Sequence, residues 1–165
     1  MFFAPSVRGT DEEVELHIKA AYLLNFARFV EWPQFAAETP VVIAVLGHDS
    51  ITPALEETVR GKTINGHPIK IRQFASPREI DACNILFIPR SEAKKSPAVL
   101  ADLAGKPVLT VGETAGFLGQ GGVIEFQLID DSLRFSINVV AADRFGLKIK
   151  SELLSVAYSI LGRQK

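Results

Sequence analysis

The sequence predicts an α/β fold, a three-layer sandwich whose mainly parallel central sheet carries an antiparallel hairpin at one edge. Three observations predict it. The apolar, largely β-branched runs "PVVIAVLG" (40–47), "NILFIP" (84–89) and "PVLTVG" (107–112) read as strands covered on both faces, hence parallel and central. Helical segments alternate with them, which sandwiches the sheet. Finally "VIEFQLIDDSLRFSIN" holds two alternating runs about an Asp130-Asp131-Ser132 turn, the pattern of an antiparallel hairpin. One domain over 11–165 accounts for these elements, with 1–10 a flexible N-terminal segment.

The first helix starts in the acidic stretch from Asp11, which favours a helix N-terminus, and runs without Gly or Pro to Pro33. At about 100° per residue, Leu16, Ala20, Leu23, Ala27 and Val30 form one apolar stripe, and Ile18, Tyr22, Phe26 and Phe29 form a second beside it. Two stripes are more than one ordinary surface helix needs. The second, continued by Trp32, is a candidate dimer or partner interface. Its alternative fate is cover within the chain, by the terminal helix or the "EWPQF" turn. After the first buried strand, Thr52 and Pro53 suit the cap and first turn of a short helix to Arg60. Asn65-Gly66 then turns the chain into a more exposed strand at 69–73. Helix 91–105 is expected to kink near Pro97 and close at Gly105. Asn138 should cap a short helix ended by Gly146, and Ser151 a final helix carrying Leu153, Leu154, Ala157, Ile160 and Leu161.

Composition narrows the function. The 18 Lys and Arg balance 19 Asp and Glu without long blocks of one sign. That leaves no electrostatic footprint for nucleic acid or an anionic membrane. No stretch is apolar enough to span a bilayer, so no direct membrane insertion is expected. No export signal is visible in the chain, and the single cysteine, Cys83, cannot form an internal disulfide.

Catalytic patterns fail one by one. "GKT" at 61–63 lacks the earlier Gly of a phosphate loop, since that position is Glu56, and "GFLGQGG" leads into a strand where a dinucleotide site requires a helix. It reads as a tight turn or a lid. His17, His48 and His67 have no metal-ligand spacing, so neither a metal nor another cofactor is expected. Cys83 adjoins a buried strand and reads as core. The remaining candidates follow the parallel strands, where open α/β sheets bind ligands. These are His48, Asp49 and Ser50, then Arg90 and Ser91, then Glu113 and Thr114. In "GLKIK", Lys148 and Lys150 would project together as an anion-receptive pair or a solvated edge.

The order of types in "KAAYLLNFARFVEWP" resembles the opening of the YfiR-like periplasmic proteins. The resemblance continues through "VVIAVLGHDS", "ACNILFIPRSE", "PVLTVGETAGFLGQGGVIEF" and "LRFSINVVAADRFGLKIKSELLSVA", from about Glu15 to the C-terminus. It implies an exported, non-enzymatic regulator that represses a membrane-bound diguanylate cyclase, and so cyclic-di-GMP signalling and biofilm formation, by protein contact. It also implies sequestration by an outer-membrane lipoprotein. A homodimer is expected, with Ile18, Tyr22, Phe26, Phe29 and Trp32 as the dimer or partner surface. A small aromatic or anionic ligand would meet Lys148 and Lys150, with His48 as a further candidate. The alternatives are a small-molecule sensory domain, within a membrane kinase or cyclase for example, or an unrecognised doubly wound enzyme.

Overall fold

The computed structural model describes residues 8–33 and 39–162. Helix α1 (Arg8–Phe29) leads into a short strand β1 (Val30–Glu31). β2 (Val41–Leu46), α2 (Ile51–Val59), β3 (Thr63–Ile64) and β4 (His67–Phe74) follow, then β5 (Ile85–Ile88), α3 (Ser96–Leu103) and β6 (Leu109–Gly112). The chain closes with β7 (Ile124–Ile129), β8 (Ser132–Asn138), α4 (Val139–Arg144), β9 (Lys148–Ile149), α5 (Ser151–Val156) and β10 (Ser159–Leu161). Of the flexible segment expected over 1–10, residues 1–7 lie outside the described residues. Arg8 to Thr10 already belong to α1.

The main sheet has the order β10-β8-β7-β6-β5-β2-β4-β3. From β4 to β7 every neighbouring pair is parallel. The three predicted buried strands are β2, β5 and β6 at its centre, and β5 and β6 are buried at every position. β4 is half exposed, and β3–β4 closes through Asn65 (φ 51°) and Gly66 (φ 84°), as the Asn-Gly signal requires. The crossovers β2-α2-β4 and β5-α3-β6 run in opposite directions across the sheet, so right-handed connections put α2 and α3 on opposite faces. The point where direction reverses lies between β2 and β5.

The antiparallel β7–β8 hairpin lies at one side of the parallel strands as expected, with the three-residue β10 added outside β8. The last segment, however, is not one helix. α5 stops after six residues, and Ser159–Leu161 becomes β10, parallel to β8 in the register Ser159↔Ser136 to Leu161↔Asn138. The open side of β8 offers backbone partners, and Ser159 Oγ donates to Ser136 Oγ at 2.8 Å. Ladder bonds there outweigh the helical spacing of Leu154, Ala157 and Leu161. The cap of α2 also moves, because Asp49 Oδ1 accepts the Ile51 N–H at 2.9 Å and the helix starts before Thr52. Asn138 caps α4 as its sequence position suggests, accepting the Ala141 N–H at 3.0 Å.

The glycine-rich "GFLGQGG" segment is a plug in place of a lid. Phe117 is buried, and a Cβ at Gly112 would lie 2.6 Å from its ring while one at Gly122 would overlap it. Those two glycines are the space that the ring fills.

Both stripes of α1 pack within the chain over most of their length. Ala20, Leu23, Ala27 and Val30 are buried as expected. On the second stripe Phe26 is fully buried, 5.0 Å from the Phe135 ring and 5.9 Å from Phe126, centroid to centroid. Tyr22 meets the same two rings, and its hydroxyl donates to the Leu133 carbonyl at 3.0 Å. The β7–β8 hairpin therefore covers Tyr22 and Phe26, and α5 also packs against α1; Gln34 and Phe35 of "EWPQF" lie outside the described residues. Phe26→Ala should cost about 3–5 kcal/mol for a lost core aromatic, and Tyr22→Phe about 0.5–1.5 kcal/mol for its hydrogen bond. Denaturant melts of the two variants check this ordering, and a Phe26→Ala protein as stable as the parent would contradict it.

Candidate functional site

The carboxyl ends of the parallel strands are where an open α/β sheet presents its chemistry. Here they are largely occupied by the chain itself. After β2, Gly47 (φ 78°) lies so close to Glu92 that a Cβ would fall 2.6 Å from its carboxylate oxygen. Glu92 follows β5, accepts a hydrogen bond from Lys95 at 2.6 Å, and fills the reversal point between β2 and β5.

One strand further, Glu113 follows β6 and is tied down from three sides. Lys19 of α1 donates to its Oε1 at 2.5 Å, the Arg90 N–H donates to Oε2 at 2.8 Å, and the Arg90 guanidinium reaches the Glu113 carbonyl at 3.2 Å. Lys19 also pairs with Glu15 at 2.8 Å, one helical turn back. Burial of Lys19 alone would lower its pKa, but its hydrogen bonds to Glu113 and Glu15 and their charges outweigh that and hold it above its ordinary value. A lysine held this way stays charged. It is a structural cation and not a base.

The network borders a cavity of about 360 Å³, lined also by Glu125, Phe126, Gln127, Leu128, Ile129 and Leu133. Glu125 is 6% exposed, and its Oε1 accepts the Leu118 N–H at 3.1 Å. The sequence reading named Arg90 and Glu113 from strand-end position but missed Lys19, Glu15 and Glu125. The Glu15–Lys19 spacing of four was a usable signal. Nothing local marks Glu125, whose role follows from how β7 passes the end of β6.

His48 is exposed at the end of β2. The Thr52 hydroxyl donates to Gln73 Oε1 at 2.9 Å, which turns the Gln73 amide nitrogen toward His48 Nδ1 at 2.7 Å. Nδ1 is then the acceptor and Nε2 carries the proton in the neutral ring.

Lys148 and Lys150 do not join His48. Lys150 borders a cavity of about 200 Å³ with Trp32, Val41, Ile64 and His67, at the amino ends of β2 and β4. His48 and Gln73 sit at the carboxyl ends of those strands, so the three candidates occupy opposite ends of the sheet. Lys148 is exposed and stands opposite Glu31 in the β1–β9 pair. Trp32 donates its indole N–H to the Asn84 carbonyl at 3.0 Å, and Phe29 packs partly buried on the core. Of the interface candidates, only Ile18 is substantially exposed, at 41%. Cys83 borders a separate cavity with Leu103 and Val108, and burial pushes its thiol up to about 12, so it stays protonated.

Among the described residues, no group of three or more His, Cys, Asp or Glu side chains is placed to hold a metal, and no helix is long and apolar enough to cross a membrane. The fold and its strand-end ion network define a doubly wound α/β module whose usual reaction site is stabilised by internal contacts. Residues 16–158 match the model of the YfiR/HmsC-like family, DUF4154, and the chain belongs to that family. It is a family of periplasmic regulators, which implies a regulatory rather than a catalytic role. No curated protein matches the chain. A solved conserved domain protein from Vibrio cholerae O1 biovar El Tor str. N16961 shares the fold, with a TM-score of 0.59 and 9% identity over 88% of this chain. The chain spans 60% of that protein's structure.

Removing the cation tests the network. Lys19→Met should destabilise the protein by about 1–3 kcal/mol, because Glu113 is left without its buried cation. Adding Glu113→Gln should recover part of that loss. Additive effects of the two substitutions in urea melts would show that the pair does not interact.

Proposed function

We propose that the protein is a non-enzymatic periplasmic regulator that represses a membrane-bound diguanylate cyclase by direct protein contact and so lowers cyclic-di-GMP. Family membership supports regulation. The observation that supports contact is the outward half of α1, where Val14 and Ile18 are 51% and 41% exposed and flank a shallow apolar depression with Ala21, Glu13 and His17. They are four apart, hence adjacent on one face, and large apolar groups placed together in water favour a partner. This replaces the Tyr22–Phe26 surface, which the hairpin already covers. A homodimer through the same face, and release by an outer-membrane lipoprotein, are compatible parts of the proposal. His17 at the rim is hydrogen-bonded by Glu57 at 3.2 Å. Contacts with the Glu13 carbonyl and Glu57 hold its pKa above the ordinary value, so the rim gains positive charge on mild acidification.

A second reading, a small-molecule sensor, is favoured by the cavity beside Trp32 and Lys150. Co-expression separates the two. With Val14→Asp plus Ile18→Asp, association with the cyclase should weaken at least ~10-fold and cellular cyclic-di-GMP should rise, with an unchanged melt. Full repression by the folded double variant would remove this face from the regulatory contact.

A further inference from the structure

β6 ends at Gly112, whose register partner is Glu125, whereas β7 runs on to Ile129 and stays paired with β8 as far as Ser132. Past that point β7 has a strand neighbour on one side only among the described residues. Asp130 (φ 51°) and Asp131 (φ 65°) close the hairpin, so Ile129 and Ser132 form the hydrogen-bonded pair next to the turn. Alternation then directs the backbone groups of Gln127 and Glu125 toward β8, and those of Phe126 and Leu128 toward the other side. There Phe126 meets the end of β6. Leu128 has no strand neighbour on that side among the described residues.

The strand-end cavity occupies this step. Five consecutive residues, Glu125 to Ile129, line it. A cavity on a strand's face touches alternate residues, and only one running along the strand's edge touches successive ones. The Leu128 side chain beside it is 60% exposed. The charges of the lining are uneven: Lys19 is shared between Glu15 and Glu113, and Arg90 is spent on Glu113. Glu125, nearly buried, has only the Leu118 N–H and the Gln127 amide, with no cationic partner among the described residues. A buried carboxylate in that position favours a cation that brings its own hydrogen-bond donors.

We propose that this step is a docking groove for an extended peptide segment of a partner protein, which adds as a strand to the free edge at Leu128 and presents a Lys or Arg to Glu125. Strand addition uses main-chain bonds for affinity and alternate side chains for specificity, and this groove offers both. It is separate from the outward face of α1. The inference holds whichever protein supplies the segment.

A random dodecapeptide phage library selected on the immobilised full chain tests it. Enriched peptides should pair a basic residue with β-branched neighbours, and Leu128→Pro and Glu125→Gln should each weaken them at least about tenfold. The Leu128 N–H faces away from β8, so proline spares the hairpin while denying the peptide its donor. N-methylating the best peptide residue by residue should abolish binding at alternate positions, and this decides the matter on the unaltered protein if Leu128→Pro loses its cooperative melt. No enrichment, binding indifferent to both substitutions, or uniform tolerance of N-methylation would overturn the proposal.

Discussion

The packing of α1 on the C-terminal hairpin is the constraint on which the other features depend. Tyr22 and Phe26 meet Phe126 and Phe135 within 6.1 Å, ring centre to ring centre, and Tyr22 bonds to a carbonyl 111 residues away. Aromatic pairs of this kind add about 0.5–1.5 kcal/mol each beyond the area they bury. They also join the two ends of the chain, a contact whose loop-closure cost only a large apolar gain offsets. With α1 held there, Lys19 is brought to Glu113 at the end of β6, and Val14 and Ile18 are turned to the outside.

The same placement ties the polar groups at the strand ends to one another. Doubly wound proteins that act on small molecules leave the carboxyl ends of their strands open at the reversal point. Here Glu92 is pressed against Gly47, Phe117 fills the space left by Gly112 and Gly122, and Glu113 is held by Lys19 and Arg90. The polar groups at the strand ends serve each other. The result is a rigid frame in which the apolar side chains Val14, Ile18 and Leu128 stay exposed, outside this ion network.

The parallel core was legible in the sequence because β2, β5 and β6 are short apolar runs ended by Gly or Pro, and the Asn65-Gly66 and Asn138 signals are local chemistry. What failed depended on distant partners. Helical periodicity shows that Tyr22 and Phe26 share a face, but not that a hairpin a hundred residues later covers it. β10 looked helical because its spacing fits a helix, and only the open side of β8 makes it a strand. His48 and Lys150 were grouped by chemistry, whereas β2 and β4 separate them by their full length.

Hydrogen exchange along α1 tests the central claim most directly, because it reads each half of the helix separately. If the aromatic half is core, amides from Ala20 to Phe29 in the free protein should exchange only through global unfolding, while those from Asp11 to Ile18 open more readily. The bound partner should then add protection to the outward half alone. Rapid local exchange across Tyr22 to Phe29 in the free protein, suppressed only when the partner binds, would contradict the account and return the aromatic stripe to the interface.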